Sequence, residues 1–437
     1  MQLLKENFQF AIITLLWVIA GILFDQSAIV LVPLLMLLFR NKEYYSEIVM
    51  TQLVINFLSD NRHAEFNFAV ISKDIILLTV CSLVLINPKN FPNKSKLAYV
   101  FMPFFVLAFL ISLKNPAPWH SFQKTLSFFM MLTFVPTYFI RQLDVEGPVF
   151  LRKVISIGTL LNLTGLAMIV IFERNWTFIE GGRYNGLLGN PNGIGIWSTV
   201  FFLLVAVSLH HYPGLLNKQE KYIVYGSILL SVLLSGSRNC IFSIGIYLFF
   251  SRFYRISPWI GFAMVIGLAV IFQIINENLP FILRGLGLEQ YFRLDTLREG
   301  SGRLVAWGFA WTEINKDNFM FGRGFAFEEW LFFINQEWLN YLGHQGGVHN
   351  TYLAIWLNTG IVGLVLYLIG FFSNFIKAAR NSPVAFPVMF AILFSITFES
   401  WFQASLNPFT IVALLVITIM QYAQPASTEE KGTVPVL

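Results

Sequence analysis

The stretch GGVHNTYLAIWLNTGIVGLVLYLIGFF, residues 346–372, runs from a polar, glycine-bearing loop straight into a long apolar helix. Asn350 stands where a helix N-cap belongs, and the residues after Thr351 are almost wholly hydrocarbon. His349 is therefore expected at a membrane surface, in a chain with 6 His among 437 residues. Three further segments are expected to converge on that surface: GGRYNGLLGNPNG (181–193), SGSRN (235–239) and SGRLVAWGFAW (301–311). Together they supply Arg183, Arg238 and Arg303.

Around this stretch the chain is 56% hydrophobic and 12% charged, with a mean hydropathy of +0.65. A soluble domain of this size needs far more polar surface, so the composition predicts a polytopic membrane protein. The fold class expected is all-α: a membrane helix bundle of about 12–14 transmembrane helices. The formal charge of +5 reads as cytoplasmic loop anchors and does not imply a nucleic-acid partner. Cys81 and Cys240 lie in apolar runs and read as small buried hydrophobes. The N-terminus leads into an apolar run without a small-residue cleavage site, so it reads as a retained first span.

Apolar runs fall at 8–24, 27–39, 47–58, 68–87, 97–113, 122–140, 153–172, 192–210, 222–236, 239–250, 258–276, 351–372, 385–403 and 408–422. Taking the long loop 277–350 as outside puts the excess of the 29 Lys and Arg residues inside, which predicts cytoplasmic termini. Three regions follow: N-terminal helices over 1–150, a region 151–422 that includes the loop, and a polar tail over 423–437. The loop itself is patterned. Residues 301–314, with Ser301 as N-cap, place Leu304, Trp307, Trp311 and Ile314 on one face. In residues 326–342, Phe327, Trp330, Leu331, Ile334 and Trp338 oppose Glu328, Glu329, Asn335, Gln336 and Asn340. These segments read as amphipathic helices at the outer boundary or as a small folded cap, and the two readings are compatible.

The chemistry-bearing residues sit at helix starts and turns. Asn190 suits an N-cap and Pro191 the first helical position, followed by Asn192. Free N–H groups at such a start attract anions, and Arg183 lies just before it. Arg238 interrupts an apolar run at a turn between two short helices, and an arginine held there is a functional candidate. His349 is the candidate base. The positive end of the following helix is expected to lower its pKa. His344, flanked by Gly343 and Gly346, is the competitor and is expected to be less rigidly placed. No D-x-D motif or compact His/carboxylate cluster occurs, so no metal or other cofactor is implied. A flippase or transporter is the competing class, but it needs polar residues through the mid-membrane helices. Few are present, among them Lys73, Asp74, Asn162 and Glu399.

The ordered set G-R-Y-N-G with G-N-P-N, then S-R-N, then S-G-R with G-R-G, then H-N-T-Y-L with N-T-G-I-V-G-L resembles the bacterial O-antigen ligase and polymerase family. The resemblance covers roughly residues 150–420. It implies a multi-pass inner-membrane glycosyltransferase with its active site facing the periplasm. The donor implied is a glycan on undecaprenyl diphosphate. The acceptor is lipid A-core for a ligase, or another lipid-linked repeat unit for a polymerase, and the motifs do not separate the two. His349 matches the family's loop histidine, and Arg183, Arg238 and Arg303 match its arginines around the diphosphate. Asn190, Asn192 and Asn350 are expected in support. The acidic residue typical after the H-N motif is replaced here by Asn358, so no carboxylate is carried over at that position.

Overall fold

The computed structural model describes residues 7–24, 45–171, 174–179, 182–253, 302–403 and 406–422, with isolated positions between 259 and 285. Each apolar run that is described forms a helix over most of its length. Before the long loop these are α1 (Phe8–Phe24), α2 (Tyr45–Ser59), α3 (Phe68–Ile86), α4 (Met102–Ile111), α5 (Pro118–Val145), α6 (Pro148–Ile171), α7 (Pro191–His211), α8 (Lys218–Ser235) and α9 (Arg238–Phe253). The loop contributes α10 (Arg303–Glu313), α11 (Phe327–Ile334) and α12 (Gln336–Tyr341). After it come α13 (Thr351–Ala379), α14 (Ala385–Phe398) and α15 (Pro408–Tyr422). The run 27–39, most of 258–276, Ser301 and the tail beyond Tyr422 lie outside the described residues.

Among the described helices, α3 with the turn before it, α5, α6, α7 and α13 are each long and apolar enough to cross a membrane. Shorter apolar helices stand beside them, and the architecture is a polytopic all-α membrane protein. The bundle is centred on α7 and α15, which are apolar over most of their length and buried on nearly every face. They pack on each other; α7 also packs on α8 and α9, and α15 on α5 and α13. Cys81 and Cys240 are buried free thiols. A two-stranded hairpin, which the sequence pattern did not announce, precedes α7. Its strands β1 (Phe178–Ile179) and β2 (Arg183–Tyr184) pair antiparallel with Ile179 opposite Arg183.

Caps begin several helices as the residue types require. Asn190 accepts the Asn192 N–H at 3.1 Å, with Pro191 opening α7. Asn350 accepts the Leu353 N–H at 3.0 Å and opens α13. Helix α13 is broken at Gly360, where φ is 71° and ψ is 177°. The carbonyls of Phe319 and Met320 enter the break and accept from Ile361 and Val362 at 2.8 and 3.4 Å. A Cβ at position 360 would come within 2.2 Å of the Met320 oxygen, so this residue has to be glycine.

The described part of the long loop, residues 302–350, forms a folded cap with its own core. Ala306, Ala310, Ile314, Phe327, Leu331, Phe332, Leu339 and Val348 pack with Ala354 and Leu357 of α13. The expected apolar faces are divided by this packing. Ile314, Phe327 and Leu331 point inward, whereas Leu304, Trp311, Ile334 and Trp338 are exposed. Gly302 occupies the N-cap position of α10, where Ser301 was expected. The 326–342 pattern is two helices, because the chain leaves helical geometry at Asn335.

Candidate functional site

The first cation is set by the hairpin. Arg183 on β2 donates from Nε to the Ser235 carbonyl at 2.9 Å and from a terminal nitrogen to Asn192 Oδ1 at 2.9 Å. It thereby ties the capped start of α7 to the end of α8. Three residues after Ser235, Arg238 begins α9. That helix is packed against α14, and Asn239 donates to the Ser395 carbonyl at 3.1 Å, one turn before α14 ends. Arg238 is close enough to Arg303 for their charges to repel. Arg303, at the start of α10, donates to Glu399 Oε1 at 2.5 Å. His349 Nδ1 lies 3.1 Å from Glu399 Oε2. Arg303, Glu399 and His349 are in direct contact, Arg238 lies near Arg303, and Arg183 is anchored three residues before Arg238 in the chain. These residues span more than 200 positions of the chain.

Glu399 is the residue that sequence reasoning missed. It lies in the apolar run 385–403, where the sequence pattern makes it a mid-span polar residue. The helix instead stops at Phe398, and Glu399 is extended, at φ −147° and ψ 147°. Its carboxyl is 8% exposed and holds both Arg303 and His349. Its carbonyl accepts the Thr351 hydroxyl at 3.0 Å, which locks it to the first turn of α13. Burial alone would push this carboxyl up, but Arg303 and His349 together hold it below the ordinary range. Asn358, in the position where the family's acidic residue was sought, has a scaffold role. Its Oδ1 accepts the Glu328 N–H at 2.8 Å.

The expected lowering of the His349 pKa is not what the structure gives. Burial does oppose the imidazolium, but the hydrogen bond and charge of Glu399 outweigh both burial and the repulsion of Arg303. The pKa is raised. A carboxylate in direct contact dominates the partial charge of a helix end. Nε2 faces the Gln345 carbonyl at 3.3 Å, a long contact on the exposed side. Both ring nitrogens thus meet acceptors. The residue is held at φ 50°, in the left-handed region that non-glycine residues uncommonly occupy.

His344 differs from expectation in a second way. It is 2% exposed, and its Nε2 lies 3.2 and 3.0 Å from the Gly346 and Gly347 carbonyls. It is therefore firmly placed, but turned back into its own loop. Burial first, and then the neighbouring His349 charge, lower its pKa. The two imidazoles meet edge to face at 5.7 Å. What separates them is direction: His349 faces Glu399, and His344 faces backbone carbonyls.

An all-helical multispan bundle that gathers three guanidiniums, a buried carboxylate and a titratable imidazole where helices α7, α9, α10 and α13 begin defines a membrane protein with a cationic site at one end of its bundle. Residues 223–368 match the family model described as O-Antigen ligase, which supports a likeness of this part of the chain to the O-antigen ligase/polymerase family. The match includes Arg238, Arg303 and His349, whereas Arg183 precedes it and Glu399 follows it. No curated protein matches the chain.

Proposed function

We propose that the protein transfers a glycan from undecaprenyl diphosphate to a sugar hydroxyl of an acceptor at the periplasmic face of the inner membrane. The observation that carries this reading is the Arg303–Glu399–His349 contact, with Arg238 near Arg303 and Arg183 held at the Ser235 carbonyl three residues before Arg238. Guanidiniums suit multidentate contacts to phosphate oxygens and stabilise a leaving diphosphate. The N–H groups at the start of α7 add positive field to the same place.

In the proposed reaction the acceptor hydroxyl oxygen attacks the anomeric carbon as the glycan–diphosphate C–O bond breaks. The hydroxyl proton passes to His349 Nε2, and undecaprenyl diphosphate leaves with the bonding electron pair. Direct displacement inverts the anomeric centre. Glu399 accepts the Nδ1 proton of His349, so Nε2 is the nitrogen that exchanges protons with substrate, with the Gln345 carbonyl displaced. Ligase and polymerase differ only in the acceptor, and the same residues serve either. The test is purified protein in lipid nanodiscs, given undecaprenyl diphosphate-linked oligosaccharide and either lipid A-core or more of the lipid-linked unit. Elongated or transferred glycan with release of undecaprenyl diphosphate is expected. Failure with both acceptors, while the donor lipid crosses vesicle bilayers in the protein's presence, would replace transfer by transport.

A further inference from the structure

His349 is preceded by Val348, whose backbone N–H and C=O are each held by a side chain, one buried and one half-buried. The Val348 N–H donates to Glu328 Oε1 at 3.0 Å, and the Val348 carbonyl accepts the Trp307 indole N–H at 3.0 Å. That carbonyl belongs to the peptide unit that leads into His349. On the far side, the Asn350 cap fixes the entry to α13. The strained left-handed turn at His349 is therefore held from both ends. The approach at Glu328 is close: a Cβ at Gly347 would come within 2.6 Å of Glu328 Oε1.

Both jaws are themselves anchored to the site. Trp307 follows Arg303 by four residues on α10, which puts the guanidinium on Glu399 and the indole on Val348 along one face. Glu328 is pinned by its own backbone N–H to Asn358, whose carbonyl accepts the Gly324 N–H at 2.7 Å, next to the break at Gly360. Glu328 is 3% exposed and pairs with no cation within 4.0 Å among the described residues. Its visible task is to accept a hydrogen bond, not to balance a charge.

We propose that Glu328 and Trp307 are positioning residues for His349: by clamping the Val348 backbone, at its N–H and its C=O, they set the imidazole against Glu399 and towards the substrate. The inference rests on the reading of His349 as the base. The clamp also explains a buried carboxyl that touches none of the reacting groups. A glutamine at 328 keeps the acceptor oxygen, an alanine removes it, and a phenylalanine at 307 keeps the ring but loses the donor.

The experiment uses the full chain in nanodiscs with selectively 13C-labelled histidine, and compares wild type, Glu328→Ala, Glu328→Gln, Trp307→Phe and His349→Ala. The charged and titratable groups acting on His349 are Glu399, Arg303, His344 and Glu328 itself; Glu328→Ala and Glu328→Gln lose the same charge and differ in the acceptor oxygen, and Trp307→Phe alters no charge. In Glu328→Ala the His349 resonance should titrate at lower pH than in wild type, because the ring no longer holds its place on Glu399. In Glu328→Gln, which loses the same charge but keeps the acceptor oxygen, it should titrate at clearly higher pH than in Glu328→Ala. Transfer from undecaprenyl diphosphate-linked oligosaccharide should lose roughly 10²-fold in kcat in Glu328→Ala with KM little changed, and recover in Glu328→Gln. Trp307→Phe should move both readouts in the same direction, and serves if Glu328→Ala does not fold. Unchanged titration and kcat in folded Glu328→Ala and Trp307→Phe overturn the proposal. So does a Glu328→Gln variant that fails like alanine. Full transfer by His349→Ala would instead remove the base reading, which the titration does not depend on.

Discussion

Replacing Glu399 with glutamine removes one charge and almost no volume from the centre of the site. In the native protein the carboxylate serves two cations, Arg303 and His349, from a side chain that is 8% exposed. Breaking a buried ion pair by deleting one partner costs about 3–5 kcal/mol. Here Arg303 and His349 are 23% and 25% exposed, so water recovers part of that, and a loss of about 2 kcal/mol in stability is expected. The more diagnostic effect is on the imidazole. Glu399 raises the His349 pKa above its ordinary 6.5, so the basic form is gained only at higher pH. Without that carboxylate, burial and Arg303 are opposed chiefly by the Gln345 carbonyl, the last of the causes that raise it, and the pKa falls. The acid limb of kcat/KM should therefore shift to lower pH in Glu399→Gln, while the plateau falls about 10²-fold because the ring loses its orientation. The assay is a pH series of glycan transfer by purified protein in nanodiscs, with thermal unfolding recorded in parallel. An acid limb that stays in place would refute the coupling of Glu399 to a titrating His349. A wild-type plateau would refute its part in the reaction.

Further expectations follow from the same geometry. Lysine at Arg183, Arg238 or Arg303 keeps the charge but loses the planar fork; with charge-assisted contacts of about 1.5–3 kcal/mol at stake, donor-dependent kcat/KM should fall about tenfold or more in each. Full activity in all three lysine variants would dissolve the diphosphate clamp. His349, with a raised pKa, contributes stability that is fully present below its unfolded value and fades as pH rises through the folded one. The melting difference between wild type and His349→Ala should accordingly shrink on moving from mildly acid to alkaline buffer, and a difference that grows would contradict it. Gly360→Ala should destabilise the fold severely, since the added methyl meets the Met320 carbonyl at 2.2 Å in a positive-φ position; a melting temperature within error of wild type would show that the break is dispensable.

Much of this molecule is legible in its hydropathy, because burial in lipid or in a helix bundle demands the same apolar runs. The caps at Asn190 and Asn350 were legible too, since a side-chain acceptor before an apolar run has one economical use. Three features were not. Glu399 sits among phenylalanines and tryptophan, and nothing local to 385–403 says that the helix stops at Phe398; that end is set by tertiary contacts with Arg303, His349 and Thr351. The break at Gly360 is hidden because glycine is ordinary in a membrane helix, and the backbone that fills it comes from 319–320. The fixing of His344 depends on its being turned back onto the Gly346 and Gly347 carbonyls, which its flanking glycines disguise. The pKa of His349 was misjudged for the same reason: a helix end is visible in sequence, and a carboxylate 50 residues away is not.

The central claim is that His349 takes the acceptor proton. Its most direct measurement is single-turnover glycan transfer by His349→Ala in nanodiscs preloaded with undecaprenyl diphosphate-linked oligosaccharide, with donor binding measured on the same sample. The account predicts wild-type donor binding and a transfer rate lowered by about 10²–10⁴-fold. Transfer at close to the wild-type rate with donor fully bound would contradict it.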